Sequence, residues 1–180
     1  IDSCISETSD KLISHLNYKS IETNKYLVCF TPEAFLQLIS AFSSMFNARS
    51  ILDGLSLMSE DSIGDQISVP NLNISDEGLH PENVSAFSFD GEGTPTQNID
   101  LVKSGILTNL IHSEATARKF GVNPTGHAGL GAKVSVSPDW LVVSKSEAGI
   151  DKEQSLSVKN TLKEYILIDE LSALHSGVKA

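Results

Sequence analysis

The residues best equipped for chemistry in this chain are five histidines, two cysteines and a few carboxylates set between glycines. A helix that chelates zinc needs ligands about one turn apart on one face. The histidines stand at 15, 80, 112, 127 and 175, with no two closer than 15 residues, so no such pair exists. His112 and Glu114 form a His-x-Glu pair, but no Cys-x-x-Cys follows and the deaminase signature is incomplete. Cys29 sits in the apolar run Tyr26–Phe30, where an inert buried thiol is expected, and Cys4 lies in a polar terminal segment. No Gly-x-Ser-x-Gly elbow occurs. These patterns nominate no catalytic residue and no metal ligand.

Two glycine-rich loops hold the remaining candidates. Asp90-Gly91-Glu92-Gly93 carries two carboxylates, which could share acid–base work only if both face one pocket. Glycine turns between strands explain the same residues without chemistry. Gly126-His127-Ala128-Gly129-Leu130-Gly131 lacks the Gly-Lys-Ser/Thr ending of a phosphate loop and departs from Gly-x-Gly-x-x-Gly spacing. It reads as a tight surface loop, or as one that aims His127 or bare N–H groups at a ligand or partner. Asp90, Glu92, Thr94 and His127 are therefore the candidates for a substrate- or partner-facing surface. A hydrolase using Asp90, Glu92 and His127 is kept as an alternative.

The elements that must position these loops are mixed. Residues 1–24 are polar, with a short amphipathic stretch from Lys11 to Leu16, and read as a linker or terminal helix ahead of a domain at 25–180. Tyr26–Phe30 is of strand length. Thr31-Pro32-Glu33 supplies a cap, a first-turn proline and a carboxylate for the helix dipole. Ala34, Phe35, Leu38, Ile39, Phe42, Met45 and Phe46 then recur at three-and-four spacing, predicting a long helix over about 32–47. Short strands are expected around Ile63–Val69, Leu72–Ile74, Val84–Phe89, Thr96–Val102, Ile106–Ile111, Trp140–Val143 and Tyr165–Ile168. Lys103-Ser104-Gly105 joins two of them as a hairpin loop. Short helices are expected near 113–120, with Ser113 as cap and Gly121 past its end, and near 155–163. The fold class is α+β with a mostly antiparallel sheet.

Composition bounds what the domain can meet. The chain has 180 residues, 40% hydrophobic, and a formal net charge of −10. No Lys or Arg occurs between Arg49 and Lys103, while ten acids do: Asp53, Glu60, Asp61, Asp65, Asp76, Glu77, Glu82, Asp90, Glu92 and Asp100. Outside that stretch 13 acids balance 13 bases, so the net charge belongs to residues 50–102. A phosphate-backbone binder needs the opposite sign, and an anionic membrane surface would repel this one. No apolar run approaches the roughly 20 residues that span a bilayer. Two cysteines do not make a disulfide framework, which suits a reducing, cytoplasmic compartment. The opening Ile1-Asp2, without an initiator Met or a leader pattern, reads as a piece of a longer protein.

The order of motifs is itself informative. Phe89-Asp90-Gly91-Glu92-Gly93-Thr94-Pro95-Thr96 precedes Lys103-Ser104-Gly105-Ile106-Leu107. Ala115-Thr116-Ala117-Arg118-Lys119-Phe120-Gly121 and Pro124-Thr125-Gly126-His127-Ala128-Gly129 follow. This series resembles the TldD/PmbA family, historically called modulators of DNA gyrase and regarded as peptidase components. The likeness is specific over 86–129 and looser from about 25 to 174, and the Thr-Gly-His-Ala-Gly form is closer to the PmbA branch. The resemblance implies a zinc site on the TldD subunit, on a helix with a His-Glu-x-x-x-His motif, with a further Cys ligand near the family's C-terminus beyond Ala180. It implies a PmbA partner that lacks the motif, and peptide degradation or maturation by metal-assisted hydrolysis. By order and spacing the motif would fall near Ser40-Ala41-Phe42-Ser43-Ser44-Met45, which holds neither His nor Glu, and no His occurs from 16 to 79. The resemblance therefore implies a non-catalytic scaffold with no cofactor of its own and zinc only in a TldD-like partner subunit. A homodimer is the other assembly, and unfolded or small peptides are the substrate. The rival interaction reading is an acidic protein that binds gyrase in place of DNA.

Overall fold

In a computed structural model, residues 2–16, 19–146, 165–172 and 174 are described. The chain opens with helix α1 (Asp2–Leu16), whose apolar Ile5, Leu12 and Leu16 stay exposed. Strand β1 (Val28–Phe30) pairs in parallel with β8 (Ile166–Ile168), Val28 facing Ile166 and Phe30 facing Ile168. Helix α2 (Pro32–Ala41) follows β1, its first turn capped by Thr31, whose hydroxyl accepts from the Ala34 N–H at 3.2 Å.

The long helix expected over 32–47 is not one helix. α2 stops at Ala41, Phe42 leaves the helical region at φ −96° and ψ 8°, and Ser43–Phe46 tightens into a 3₁₀ turn. Asn47 is extended, and α3 (Ala48–Leu52) starts afresh with Asn47 as its cap, accepting from Arg49 N–H at 2.8 Å. The reason is tertiary. Ile111 donates to the Phe46 carbonyl at 2.8 Å and accepts from Ala48 N–H at 3.1 Å, so the chain at Asn47 is drawn into a parallel bridge. Phe46 and Ala48, fully buried on either side, gain their burial from this break.

The central sheet runs β4-β3-β2-β7 and is antiparallel throughout, from β2 (Leu72–Glu77), β3 (Asn98–Lys103), β4 (Ile106–Leu107) and β7 (Leu141–Lys145). Together with the parallel β1–β8 pair this makes the α+β architecture mostly antiparallel, as expected. Lys103 pairs with Ile106, so the hairpin loop is the two residues Ser104 and Gly105, both at positive φ (50° and 79°). That is the twist a two-residue hairpin favours. Ile74, Leu101, Val102, Leu107, Leu110 and Ile111 form the buried core with Phe46 and Ala48.

Helix α4 (Glu114–Phe120) matches its expected span, capped by Ser113 and ended by Gly121 at φ 69°. A small antiparallel pair, β5 (Ala128–Gly129) with β6 (Ser135–Val136), completes the described elements. Val84–Phe89 and Ile63–Val69, expected as strands, form turns, with single bridges at Phe89–Pro95 and Gln66–Ile106. The 63–69 segment does run beside the hairpin, with Gly64 N–H donating to Leu107 and Ile67 and Ser68 N–H to Gly105, but it pairs in register only at Gln66, while Val84, Phe87 and Phe89 remain exposed. The helix expected near 155–163 lies outside the described residues. Among the described residues no helix is long and apolar enough to cross a membrane.

Candidate functional site

The most unusual assembly is a carboxylate and an imidazole that are both sealed from solvent. Leu72, Ile74 and Asp76 point to one side of β2 by strand alternation, and Asp76 takes a core position with no exposed surface. Its two oxygens are held by backbone donors at the entry to β7: Asp139 N–H to Oδ2 at 2.8 Å and Trp140 N–H to Oδ1 at 2.6 Å. His127 Nε2 lies 2.9 Å from Oδ2, and both side chains are fully covered. The contact is short, although Nε2 is not aligned for an ideal hydrogen bond. The other ring nitrogen, Nδ1, lies 2.9 Å from Thr125 Oγ1.

The electrostatics follow from these contacts. Burial works against the Asp76 charge, but His127 and the N–H groups of Trp140 and Asp139 outweigh it and hold the carboxyl below its ordinary range. Asp139 sits at the rim, where an added Cβ on Gly78 would meet its Oδ2 at 3.1 Å. Partial burial pushes the Asp139 carboxyl up, His127 opposes that, and the nearby charges of Asp76 and Asp90 add to it.

The two glycine loops are locked to each other around this pair. Asp90 Oδ1 accepts from Glu92 N–H (2.9 Å) and Thr94 N–H (2.8 Å), closing its own turn. Its Oδ2 accepts from Ala128 N–H at 3.0 Å, and Gly91 N–H donates to the Ala128 carbonyl at 2.6 Å. Glycine is required at both crossings. A Cβ on Gly91 would meet Leu130 Cγ at 2.6 Å, and one on Gly126, at φ 76°, would strike the Pro95 carbonyl. Glu92 reaches across to helix α4, accepting from Glu114 N–H at 2.8 Å, where a negative charge suits the helix dipole.

The structure thus brings Asp90 and His127 to one cleft of about 350 Å³, rimmed by the exposed Phe87, Phe89 and Leu130. Glu92 points to α4 and does not line that cleft, and Thr94 contributes its backbone to the Asp90 turn. Asp76, Asp139 and Thr125 were not singled out by sequence spacing. A signal for Asp76 existed: it is a charged residue on the inward register of an otherwise apolar strand face. A larger cavity of about 920 Å³ beside α2, lined by Leu36, Gln37 and Leu171, has Glu33 and Glu170 as its titratable groups among the described residues.

The resemblance assigns zinc to a TldD-like partner subunit and none to this chain. Asp76 and Asp90 each accept backbone N–H groups on both oxygens, contacts that hold the two loops and the start of β7 in place. Among the described residues no three His, Cys, Asp or Glu side chains are grouped to hold a metal ion.

Comparison with known proteins gives a consistent pattern. Residues 23–180 match the model of the PmbA/TldA metallopeptidase C-terminal domain. The metalloprotease PmbA of Escherichia coli is 30% identical over 119 residues, covering 66% of this chain and 26% of its own length. A Thermotoga maritima protein named for modulation of DNA gyrase superposes with a TM-score of 0.74 at 30% identity, covering 88% of this chain and 35% of that one. TldE from Thermococcus kodakarensis superposes with a TM-score of 0.65 at 19% identity, over 84% of this chain and 34% of that one, a likeness of fold. The chain spans about a quarter to a third of the length of these relatives.

Proposed function

Because the chain belongs to the PmbA/TldD family, whose metallopeptidase C-terminal domain it matches over residues 23–180, we propose that it is a PmbA-type, non-catalytic component of a zinc metallopeptidase. In this reading it supplies part of the wall of a substrate cavity for unfolded or small peptides in the cytoplasm. A TldD-like subunit brings the zinc, which polarises water and the scissile carbonyl. A homodimer is the alternative assembly.

One observation carries the reading. The segment Ser40–Met45, where the family's metal-binding motif would fall, holds neither His nor Glu, and it leaves helical geometry at Phe42. Two ligands one turn apart require an unbroken helix. What this chain's residues do instead is rigidify: Asp90 closes one loop and ties it to the other, while Asp76 and His127 anchor both to the sheet.

The test is to purify the full-length polypeptide with and without a subunit bearing His-Glu-x-x-x-His, then measure zinc content and hydrolysis of an unstructured peptide. Neither zinc nor hydrolysis is expected from the polypeptide alone, and hydrolysis is expected from the complex. Stoichiometric zinc held through this chain's own histidines would overturn the proposal. The segregated acid of residues 50–102 favours a second reading, an acidic surface that binds gyrase. That reading requires salt-sensitive gyrase binding and is removed by none at low salt.

A further inference from the structure

We propose that the cleft between the two glycine loops takes an arginine side chain of a peptide, its guanidinium meeting the carboxylates of Asp139 and Asp90 and its stem lying against Phe87, Phe89 and Leu130. The proposal rests on the peptide-handling reading above and names the side chain that the cleft selects.

Charge carries the first half of the argument. Three carboxylates, of Asp76, Asp90 and Asp139, stand in or directly behind the cleft, and His127 can offset only one of them. Asp76 is already matched by its 2.9 Å contact with His127. Asp90 accepts from neutral N–H groups, those of Glu92, Thr94 and Ala128. The Asp139 carboxylate accepts no hydrogen bond and joins no ion pair among the described residues. The charges that act on it are those of His127, Asp76 and Asp90. No Lys or Arg lines the cleft among the described residues. Two carboxylates without a counter-ion thus share one cavity, and each raises the cost of the other's charge. A cation between them removes that cost, and an anion adds to it.

The apolar half selects among cations. Phe87, Phe89 and Leu130 are 75%, 60% and 73% exposed, although all three line the cavity. Large apolar side chains standing this far into water around a cleft mark a contact surface. A metal ion or a bare ammonium would leave them uncovered. Arginine meets both halves. Its CH₂ stem covers apolar surface while its head stays with the charges. Its flat guanidinium can lie on an aromatic face and still donate to a carboxylate, which a lysine ammonium does less well.

Size and rigidity agree with this occupant. Ligand pockets usually run from about 300 to 1,000 Å³. At about 350 Å³ the cleft is at the small end of that range, which suits one long side chain. Its walls are tied together without a ligand. Asn83 Nδ2 donates to the Gly78 carbonyl at 2.8 Å and Asn83 Oδ1 accepts from Ser85 N–H at 3.0 Å, while Gly91 N–H holds the Ala128 carbonyl at 2.6 Å. A wall ordered in advance lowers the entropy cost of binding.

The test titrates the full-length polypeptide with N-acetyl-Ala-Arg-Ala-amide, and with the same peptide carrying citrulline or leucine in place of arginine. Citrulline keeps the shape of the side chain and removes its charge. The carboxyl carbons of the aspartates are followed by NMR. The arginine peptide should bind about tenfold more tightly than either other peptide. It should also shift the Asp139 resonance and lower its titration midpoint, because a cation favours the ionised form. Asp139→Asn should weaken arginine binding about fivefold, and Phe87→Ala about two- to fourfold. Both residues are exposed, so neither change opens the core. Equal binding of the citrulline or leucine peptide, an unshifted Asp139 resonance, or variants that bind as the parent does, overturns the site and leaves the peptide-handling reading standing. Failure of all three peptides to bind overturns the site as well. Hydrolysis of an unstructured peptide by the complex then decides the peptide-handling reading on its own.

Discussion

Replacing Asp76 by Asn keeps the volume of a fully buried side chain while removing its charge and one of its two acceptor oxygens. Asp76 now accepts from both Asp139 N–H and Trp140 N–H and faces His127 Nε2 at 2.9 Å. Asn offers one carbonyl oxygen, so one of those two N–H groups would confront an NH₂ donor. His127 would lose its carboxylate in a site closed to solvent. Breaking a buried pair by removing one partner costs about 3–5 kcal/mol. A lost charge-assisted hydrogen bond, about 1.5–3 kcal/mol, is contained in that figure and not added to it. Against a total stability of roughly 5–15 kcal/mol the change is large. In a domain of this size it corresponds to a melting temperature lower by roughly 6–20 °C. Urea and thermal unfolding at pH 7 measure it directly.

Two further arms make the reasoning refutable. Adding His127→Gln to the Asn variant should cost no more than about 1 kcal/mol extra, because the residues act as one unit. The pH dependence has a fixed sign. The Asp76 carboxyl is held below its ordinary value of 3.8 in the folded state, so its stabilisation is present above that value and lost as pH falls through the lower folded one. The gap between parent and variant should therefore close on acidification below about pH 4. A variant within about 1 kcal/mol of the parent at pH 7, or a gap that widens in acid, refutes the anchor.

Gly126→Ala places a Cβ against the Pro95 carbonyl at a φ of 76°, and should destabilise by about 1–3 kcal/mol while displacing His127 from Asp76. Calorimetry gives the first, and the His127 ring resonances give the second. Glu92→Gln keeps an acceptor for Glu114 N–H but removes the charge at the start of α4, so a loss of about 0.3–1 kcal/mol that shrinks with added salt is expected. Equal stability at low and high salt would argue that the charge contributes nothing there.

Much of the secondary structure was legible in the sequence because its signals are local. Thr31-Pro32-Glu33 starts α2, and Ser113 and Gly121 bracket α4, through capping chemistry that needs no distant residue. The hairpin at Lys103-Ser104-Gly105 was expected as a three-residue loop, but Lys103 pairs with Ile106 and the turn is Ser104-Gly105, with the serine as well as the glycine at positive φ. The long helix failed where a non-local bond intervened: Ile111, more than sixty positions away, pairs with the chain on both sides of Asn47. Val84–Phe89 alternates like a strand, but alternation does not provide a neighbouring strand.

The candidate site divides in the same way. Asp90 and His127 stood out because glycine and carboxylate patterns are visible along the chain, and the motif series already indicated the family. Their roles were not visible. Asp90 spends both oxygens on backbone N–H groups of two loops 38 residues apart, and Glu92 turns away to cap a helix. By itself the sequence determined the charge distribution, the caps and turns, the family, and the absence of paired ligands on the motif segment. Only the tertiary structure decided that Asp76 and His127, 51 positions apart, are buried against each other, and that His112 Nδ1 is buried with no hydrogen-bond partner among the described residues. The physical reason is that capping and turn preferences act over a few residues, whereas burial and charge pairing depend on which segments the sheet brings together.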